Sequence, residues 1–276
     1  MFRSVNSVTA VVTTTMPDTN SSGASDERSV NEVIAELLYV EGTDRVFTYL
    51  SEDMMNLVAA FDKYEESSVI HSRHEQDAVA MADGFSRHTK DIGVCTVGQG
   101  GAIGQTGSAL VTARKRGSNV LVIVPESSRA LSVDNPTPYS APSPGIEAKN
   151  FNQEDFLRNT IENVHPVRSS DAVIPVFKKV FRELKLDNGP IAVQIPQDVL
   201  NGSMTVPDSL VESLETPVEI HTDADTTVRP SEETIQQTVE YYLDSDATKH
   251  PLIVVGNGAA REKYWSGIEA LAERMG

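Results

Sequence analysis

Short, continuous apolar runs bounded by turn residues constrain the fold of this chain more than any other feature. The three clearest runs are IGVCTV (92–97), NVLVIVP (119–125) and PIAVQIP (190–196). Runs of this length and composition are typical of strands buried on both faces. Segments with helical spacing alternate with them, for example the segment with Ser29 as its predicted cap and Gly42 as its predicted end. The pattern predicts an α/β fold whose parallel sheet is flanked by helices.

Composition divides the chain into four parts. Residues 1–28 are rich in Ser and Thr and are predicted to be a disordered tail, and residues 29–202 carry the alternating pattern of the first domain. Residues 203–229 are polar and acidic and are predicted to be a linker. Residues 230–276 repeat a helix, an apolar run (PLIVVGNG) and a helix. One such unit cannot enclose a core, so an incomplete second α/β domain is expected. Inside the first domain, the Pro-rich segment 127–150 is predicted to be a functional loop.

The charge balance favours a small-molecule partner. Acidic residues outnumber basic residues 40 to 23 over 276 residues, which gives a net charge of −17. Such a surface repels nucleic acid and anionic membranes, and no apolar run is long enough to span a bilayer. The one cysteine, Cys95, excludes an intrachain disulfide framework and a cysteine-based zinc site. A reducing, cytoplasmic compartment is expected.

A glycine-rich turn, GQGGAIG (98–104), follows the apolar run IGVCTV (92–97) and precedes a helical segment. A strand, such a turn and a helix approach the dinucleotide fingerprint, and Glu126 stands about 20 residues further on. The spacing fails because Ile103 holds the third glycine position. Nicotinamide binding therefore remains a weak alternative to a tight turn that lets the next helix approach the sheet.

A charged trio, Arg73-His74-Glu75, begins a helical segment of small and apolar residues. Glu75 fits two interpretations, a helix-terminal acid that gains a modest dipole benefit or a catalytic acid/base. His71, His74 and Glu75 lack the HExxH spacing, so no metal site is predicted in this chain.

The segment RHEQDAVAMADGFSR (73–87) resembles the cofactor-binding segment of thiamine-diphosphate enzymes of the acetolactate synthase and pyruvate oxidase type, which reads RHEQGAAHMADGYAR. Further similarity continues through the glycine-rich turn, NQED and GPIAVQIPQDV, over roughly residues 29–202. The matching residues of the first segment are Arg73, His74, Glu75, Gln76, Ala78, Met81, Ala82, Asp83, Gly84 and Arg87.

The resemblance implies a pyrimidine-binding domain for thiamine diphosphate. In this family the glutamate bonds the aminopyrimidine ring and favours the tautomer that deprotonates the thiazolium, so Glu75 takes that role by resemblance. Small residues such as Ala78, Ala82 and Gly84 would let the helix pack tightly and fix the carboxylate. The turn residues implied to bind the cofactor are Gly100, Gly101, Ala102 and Gln105.

Departures from the family pattern change the expectations for substrate and metal. Ser51-Glu52 replaces a Gly-Gly that borders the substrate pocket in relatives, and Gln99 adjoins the same pocket. An acid there would disfavour an anionic 2-oxo acid. No GDG motif occurs in the chain, so Mg²⁺ and the diphosphate are expected to be held by a missing domain.

The resemblance therefore implies the N-terminal half of an acetolactate synthase-like 2-oxo acid decarboxylase or carboligase. It should act as a homodimer or with a subunit that carries the diphosphate-binding domain, and it should be inactive without that domain. The alternative is a non-catalytic dimerising or regulatory module of the same fold.

Overall fold

A six-stranded parallel sheet forms the centre of the chain. The computed structural model describes residues 27–127, 152–186, 189–220, 230–244, 252–256 and 265–275. The strand order in the sheet is β3-β2-β4-β5-β7-β6, and every neighbouring pair is parallel. The six strands are β2 (Arg45–Thr48), β3 (Ser68–His71), β4 (Gly93–Thr96), β5 (Val120–Glu126), β6 (Val164–Pro166) and β7 (Ile191–Pro196). The predicted α/β class and parallel sheet are confirmed.

Helices cover both faces of this sheet. One face packs against α1 (Val30–Val40), α2 (Met55–Phe61) and α7 (Val173–Lys185), and the other against α3 (Glu75–Thr89), α5 (Gly107–Arg116) and α6 (Gln153–Ile161). The short helix α4 (Gly101–Gln105) follows β4 after the turn 97–100, and the short helix α8 (Gln197–Leu200) follows β7 directly.

The central strand β5 is apolar from Val120 to Pro125, and its packing shows why. Leu121 and Ile123 belong to the core between the sheet and α1, α2 and α7, here called the first core layer. Val122 and Val124 belong to the core between the sheet and α3, α5 and α6, the second core layer. Burying one such side chain contributes roughly 1.5–3 kcal/mol, so both faces of the strand stabilise the fold. A strand with water on one face would instead alternate apolar and polar residues.

The first domain extends beyond its predicted limits at both ends. Strand β1 (Glu27–Ser29) pairs antiparallel with β8 (Ser203–Thr205), and helix α9 (Asp208–Glu215) buries Leu214 in the first core layer. The linker predicted for 203–229 is therefore wrong for residues 203–220, and the tail predicted for 1–28 is wrong for its last two residues. Residues 221–229, 1–26 and most of the predicted loop 127–150 lie outside the described residues.

A buried carboxylate fastens the end of this domain. The Glu41 side chain is fully buried at the end of α1, and both of its oxygens accept hydrogen bonds from the Val218 N–H, at 3.1 and 3.0 Å. Lys185 forms an ion pair with Glu41, and Lys178 Nζ lies 3.7 Å from it. The two ammonium groups also donate to the carbonyls of Val218 and Thr216. Burial lowers the pKa of Lys178, and the Glu41 charge opposes that shift.

The last described segments are two helices and a short extended piece. Helices α10 (Glu232–Asp244) and α11 (Trp265–Met275) fall within the predicted second unit. The strand predicted from PLIVVGNG is not formed in residues 252–256, which carry no ladder and are mostly exposed. An apolar run becomes a strand only when another strand satisfies its backbone groups, and no described strand pairs with it.

One end of α1 differs from expectation and the other agrees with it. Ser29 precedes α1 as predicted, but its side chain makes no capping hydrogen bond. Instead, the first helical N–H, that of Val30, donates to the Gly202 carbonyl at 3.1 Å. Gly42 follows the end of α1 with φ +90°, a conformation that favours glycine.

Candidate active site

The carboxyl ends of the parallel strands bring most of the predicted site residues to one edge of the sheet, here called the carboxyl edge. Ser51 and Glu52 follow β2, Glu75 follows β3, and Gln99 follows β4. In parallel α/β sheets this edge is where ligands bind, because successive loops converge there. The sequence order of the strands therefore assembles residues that lie about 50 positions apart along the chain.

Glu75 is the first residue of α3, and it does not cap that helix. The capping bond comes from His74, whose Nδ1 accepts from the Gln76 N–H at 3.2 Å. The Glu75 carboxylate is half-buried and makes no hydrogen bond or ion pair with any residue in the described part of the chain. The helix dipole favours a negative charge at this position. The carboxylate is thus positioned by the helix and left available.

The segment between β3 and Glu75 is held in place by hydrogen bonds from the Ser72 backbone and hydroxyl. Ser72 N–H donates to the Thr48 carbonyl at 2.8 Å, and the Ser72 hydroxyl donates to the carbonyls of Thr48 and His74. Beneath it, the Thr96 hydroxyl donates to the Thr48 hydroxyl at 2.8 Å in the interior. Hydrogen bonds therefore join the carboxyl ends of β2, β3 and β4 next to the segment that leads to Glu75.

Close packing of α3 on the sheet comes from a different glycine than expected. A Cβ at Gly84 would meet nothing within 4 Å, so the tight-packing role predicted for Gly84 is wrong. A Cβ at Gly93, in β4, would lie 2.1 Å from the Ala82 carbonyl oxygen. Ala78 and Ala82 are fully buried, as their expected role requires. The helix approaches the strand closely because Gly93 has no side chain.

The turn after β4 combines glycine geometry with an unpartnered hydroxyl. Gly100 has φ 67° and ψ −130°, which side chains rarely permit. A Cβ at Gly98 would lie 3.2 Å from Ser51 Cβ and 3.4 Å from Ser51 Oγ. Ser51 Oγ is buried, and it has no hydrogen-bond partner in the part of the chain that the structure describes. The turn and the Ser51 loop therefore pack closely against each other.

Gln99 joins three loops of the carboxyl edge. Its Nε2 donates to Asp53 Oδ1 at 3.0 Å, and its Oε1 accepts from the Ser127 hydroxyl at 2.9 Å. Gln197, after β7, donates to the Asp53 carbonyl at 3.1 Å. Both ends of the Gln99 amide are therefore hydrogen-bonded. Glu52, which precedes Asp53 in the segment after β2, is exposed.

A family model matches the part of the chain that forms most of this edge. Residues 28–152 match the model of the thiamine pyrophosphate enzymes, N-terminal TPP binding domain. This part of the chain is similar to that domain. The matched range holds β2 to β5 and α3, and so contains Glu75 and the glycine-rich turn.

Curated relatives share modest identity with the chain. Acetolactate synthase isozyme 3 large subunit from Escherichia coli is 25% identical over 187 residues, which cover 66% of this chain and 30% of that protein. Sulfoacetaldehyde acetyltransferase from Castellaniella defragrans is 23% identical over 259 residues, which cover 91% of this chain and 38% of that protein. The chain therefore spans well under half of the length of these relatives.

A solved structure shares the fold of this chain. The thiamine diphosphate-dependent 4-hydroxybenzoylformate decarboxylase from Rhodococcus jostii RHA1 superposes with a TM-score of 0.72 at 18% identity. The superposition covers 90% of this chain and 43% of that protein. At this identity the similarity supports the architecture alone.

The remaining predicted cofactor residue lies further from the turn. Gln105 ends α4 and is exposed, one helical turn beyond Gly101 and Ala102. No group of three or more His, Cys, Asp or Glu side chains that could hold a metal ion occurs within the described ranges. Nor is any described helix long and apolar enough to cross a membrane.

Sequence reasoning missed the structural roles of two buried polar residues. Gln153 bonds the Gly100 N–H of the turn and the Pro125 carbonyl of β5, and Glu126 at the end of β5 pairs with Arg168 at 3.1 Å. The ion pair explains a buried carboxylate that the sequence had suggested as a nucleotide ligand. Gln153 carried only a weak signal, its place at the start of the helix in NQED.

Proposed function

We propose that this chain supplies the aminopyrimidine side of a thiamine-diphosphate site for an acetolactate synthase-like decarboxylation or carboligation of a 2-oxo acid. The observation that carries the proposal is the Glu75 carboxylate, held at the start of α3 without a partner among the described residues while His74 does the capping. A carboxylate so placed can share a proton with a ring nitrogen.

One observation on the described residues fits a polar ring at this edge. The Ser51 hydroxyl, next to the glycine-rich turn, is buried and lacks a partner within the described part of the chain. Thiamine diphosphate supplies, when bound, the carbon nucleophile and electron sink of the reaction. This chain contributes the proton acceptor at Glu75 and the backbone of Gly100, Gly101 and Ala102. Mg²⁺ and the diphosphate fall to another domain or subunit.

The substrate side of the site carries negative charge. Glu52 is exposed beside Asp53, whose carboxylate accepts from Gln99 at 3.0 Å. An anionic 2-oxo acid bound near this loop would be repelled by the Glu52 carboxylate. Neutralising that charge in Glu52→Gln should therefore lower the KM for a 2-oxo acid while leaving cofactor affinity unchanged.

The test is calorimetric titration of thiamine diphosphate with Mg²⁺ into this chain mixed with a diphosphate-binding chain, followed by turnover of a 2-oxo acid. Glu75→Gln should lower turnover at least about 100-fold, because it removes the proton acceptor. Asp77→Asn, an exposed change in the same first turn of α3, is the matched control. Equal turnover in Glu75→Gln and wild type would contradict the proposal. Absence of cofactor binding by the wild-type mixture would favour the non-catalytic module instead.

A further inference from the structure

Gln153 is a buried polar side chain at the first position of α6. Only 2% of it is exposed, although glutamine is usually a surface residue and the preceding Asn152 is exposed. The helix does not require Gln153 for capping, because Asn152 Oδ1 accepts from the Asp155 N–H at 3.1 Å. The position of the Gln153 amide therefore needs another explanation.

Both ends of that amide bond backbone groups of the carboxyl edge. Gln153 Oε1 accepts from the Gly100 N–H at 2.9 Å, and Gln153 Nε2 donates to the Pro125 carbonyl at 2.7 Å. The pairing of β4 with β5 ends at Thr96 and Ile123, so these two groups lie beyond the last paired residues. The side-chain amide acts there as an inserted peptide group that joins the turn after β4 to strand β5.

The residue at one end of this bridge has a conformation that needs support. Gly100 has φ 67° and ψ −130°, and such backbone conformations persist only where surrounding structure holds them. Gly100 begins the turn of Gly100, Gly101 and Ala102 that the proposed function assigns to the cofactor. A displacement of this turn would alter its position relative to Glu75.

Helix α6 is packed into the core, so it can hold the Gln153 side chain in a fixed position. Leu157 and Ile161 lie in the second core layer, and a Cβ at Gly107 would lie 3.1 Å from Phe156 Cζ. The contact at Gly107 places α6 directly against the start of α5. The amide of Gln153 is thus projected from a fixed element toward the turn.

We infer that Gln153 is a positioning residue that holds the Gly100–Ala102 turn in its cofactor-binding conformation, an inference that rests on the proposed function. Gln153 acts through the backbone of the turn and does not itself exchange a proton with the cofactor. Gln153 can hold the turn because its amide presents an acceptor to the Gly100 N–H and a donor to the Pro125 carbonyl of β5.

Deuterium exchange of the cofactor-free chain tests the bridge. Gln153→Leu keeps a similar volume and removes both hydrogen bonds, so exchange at residues 98–106 should become about tenfold faster. Gln153→Glu keeps an acceptor for the Gly100 N–H and should give an intermediate rate. Asn159→Leu makes an amide-to-leucine change at an exposed position of α6 and should leave exchange unchanged. Wild-type exchange rates in folded Gln153→Leu would overturn the inference.

Cofactor affinity then separates positioning from a purely structural role. With the diphosphate-binding chain present, Gln153→Leu should raise the Kd of thiamine diphosphate roughly tenfold, and Gln153→Glu should restore part of the affinity. An unaltered Kd in Gln153→Leu would overturn the role in cofactor binding. Faster exchange in Gln153→Leu, without cofactor binding by any variant, would defeat the proposed function and leave the bridge itself established.

Discussion

Two glutamates at opposite edges of the sheet show how burial and partners distinguish a structural carboxylate from an available one. Glu41, at the edge where the strands begin, is fully buried and meets a backbone N–H and two lysines. Glu75, at the carboxyl edge, is half-buried and has no partner among the described residues. Buried charges persist when they are paired, so Glu41 belongs to the architecture of the fold. A positioned carboxylate without a partner is free to serve chemistry.

The strongest test of this contrast removes the charge of Glu41. Glu41→Gln should lower the free energy of unfolding by about 3 kcal/mol, because Lys178 and Lys185 lose their counter-charge. Urea denaturation measures the effect. The control is Glu36→Gln, whose partly exposed pair with Arg28 should cost less than about 1 kcal/mol. Similar losses for the two variants would remove the distinction drawn for Glu41.

A second test compares glycines near the two edges. Gly93→Ala should destabilise the fold by about 2–3 kcal/mol, because its Cβ would lie 2.1 Å from the Ala82 carbonyl oxygen. Gly98→Ala should cost less than about 1 kcal/mol, since its nearest neighbour, Ser51 Cβ, lies at 3.2 Å. Thermal unfolding of both variants decides the comparison. A larger loss in Gly98→Ala would show that the carboxyl edge is the more tightly packed.

Alkaline pH offers a third test at the edge where the strands begin. Burial, with a further contribution from Glu36, raises the pKa of Tyr64 to about 12, whereas an unfolded tyrosine ionises near pH 10. Between pH 10 and 12 the folded chain binds more protons than the unfolded chain, so stability should fall as pH rises. Tyr64→Phe should weaken that pH dependence, measured by urea denaturation across this range. Ultraviolet titration should show one fewer late-ionising tyrosine, and an unaltered titration would contradict the assignment.

The smallest expected change is the most informative about Glu75. Glu75→Gln should alter the free energy of unfolding by no more than about 0.5 kcal/mol, because no hydrogen bond to a described residue is lost. The same urea experiment applies, with Asp77→Asn as the reference. A loss near that of Glu41→Gln would mean that Glu75 is a structural residue. Stability and catalysis would then not be separable at this position.

Much of the fold could be predicted from the sequence because its signals are local. The apolar runs gave the central strands, and the charged trio gave the start of α3. The prediction of a linker was wrong for residues 203–220. Helix α9 buries only Leu214, so the sequence of this segment is mostly polar and resembles that of a linker. The strand predicted near 252–256 failed because pairing depends on a partner that local sequence does not reveal.

The site was predictable only where one segment carried it. Glu75 and the glycine turn lie in contiguous motifs, whereas the Gly100–Gln153 contact joins residues 53 positions apart. The role expected for Gly84 failed for a similar reason. Helical spacing cannot tell which residue faces a strand at close range, and Gly93 on β4 makes that contact.

The antiparallel pairing of β1 with β8 has a consequence for where the domain can be cut. Glu27 is paired with Thr205, so the first described strand and the segment that leads into α9 are held side by side. A fragment that begins after Ser29 would leave the backbone groups of β8 without this partner. A truncated variant that is meant to keep the ribbon should therefore retain Glu27.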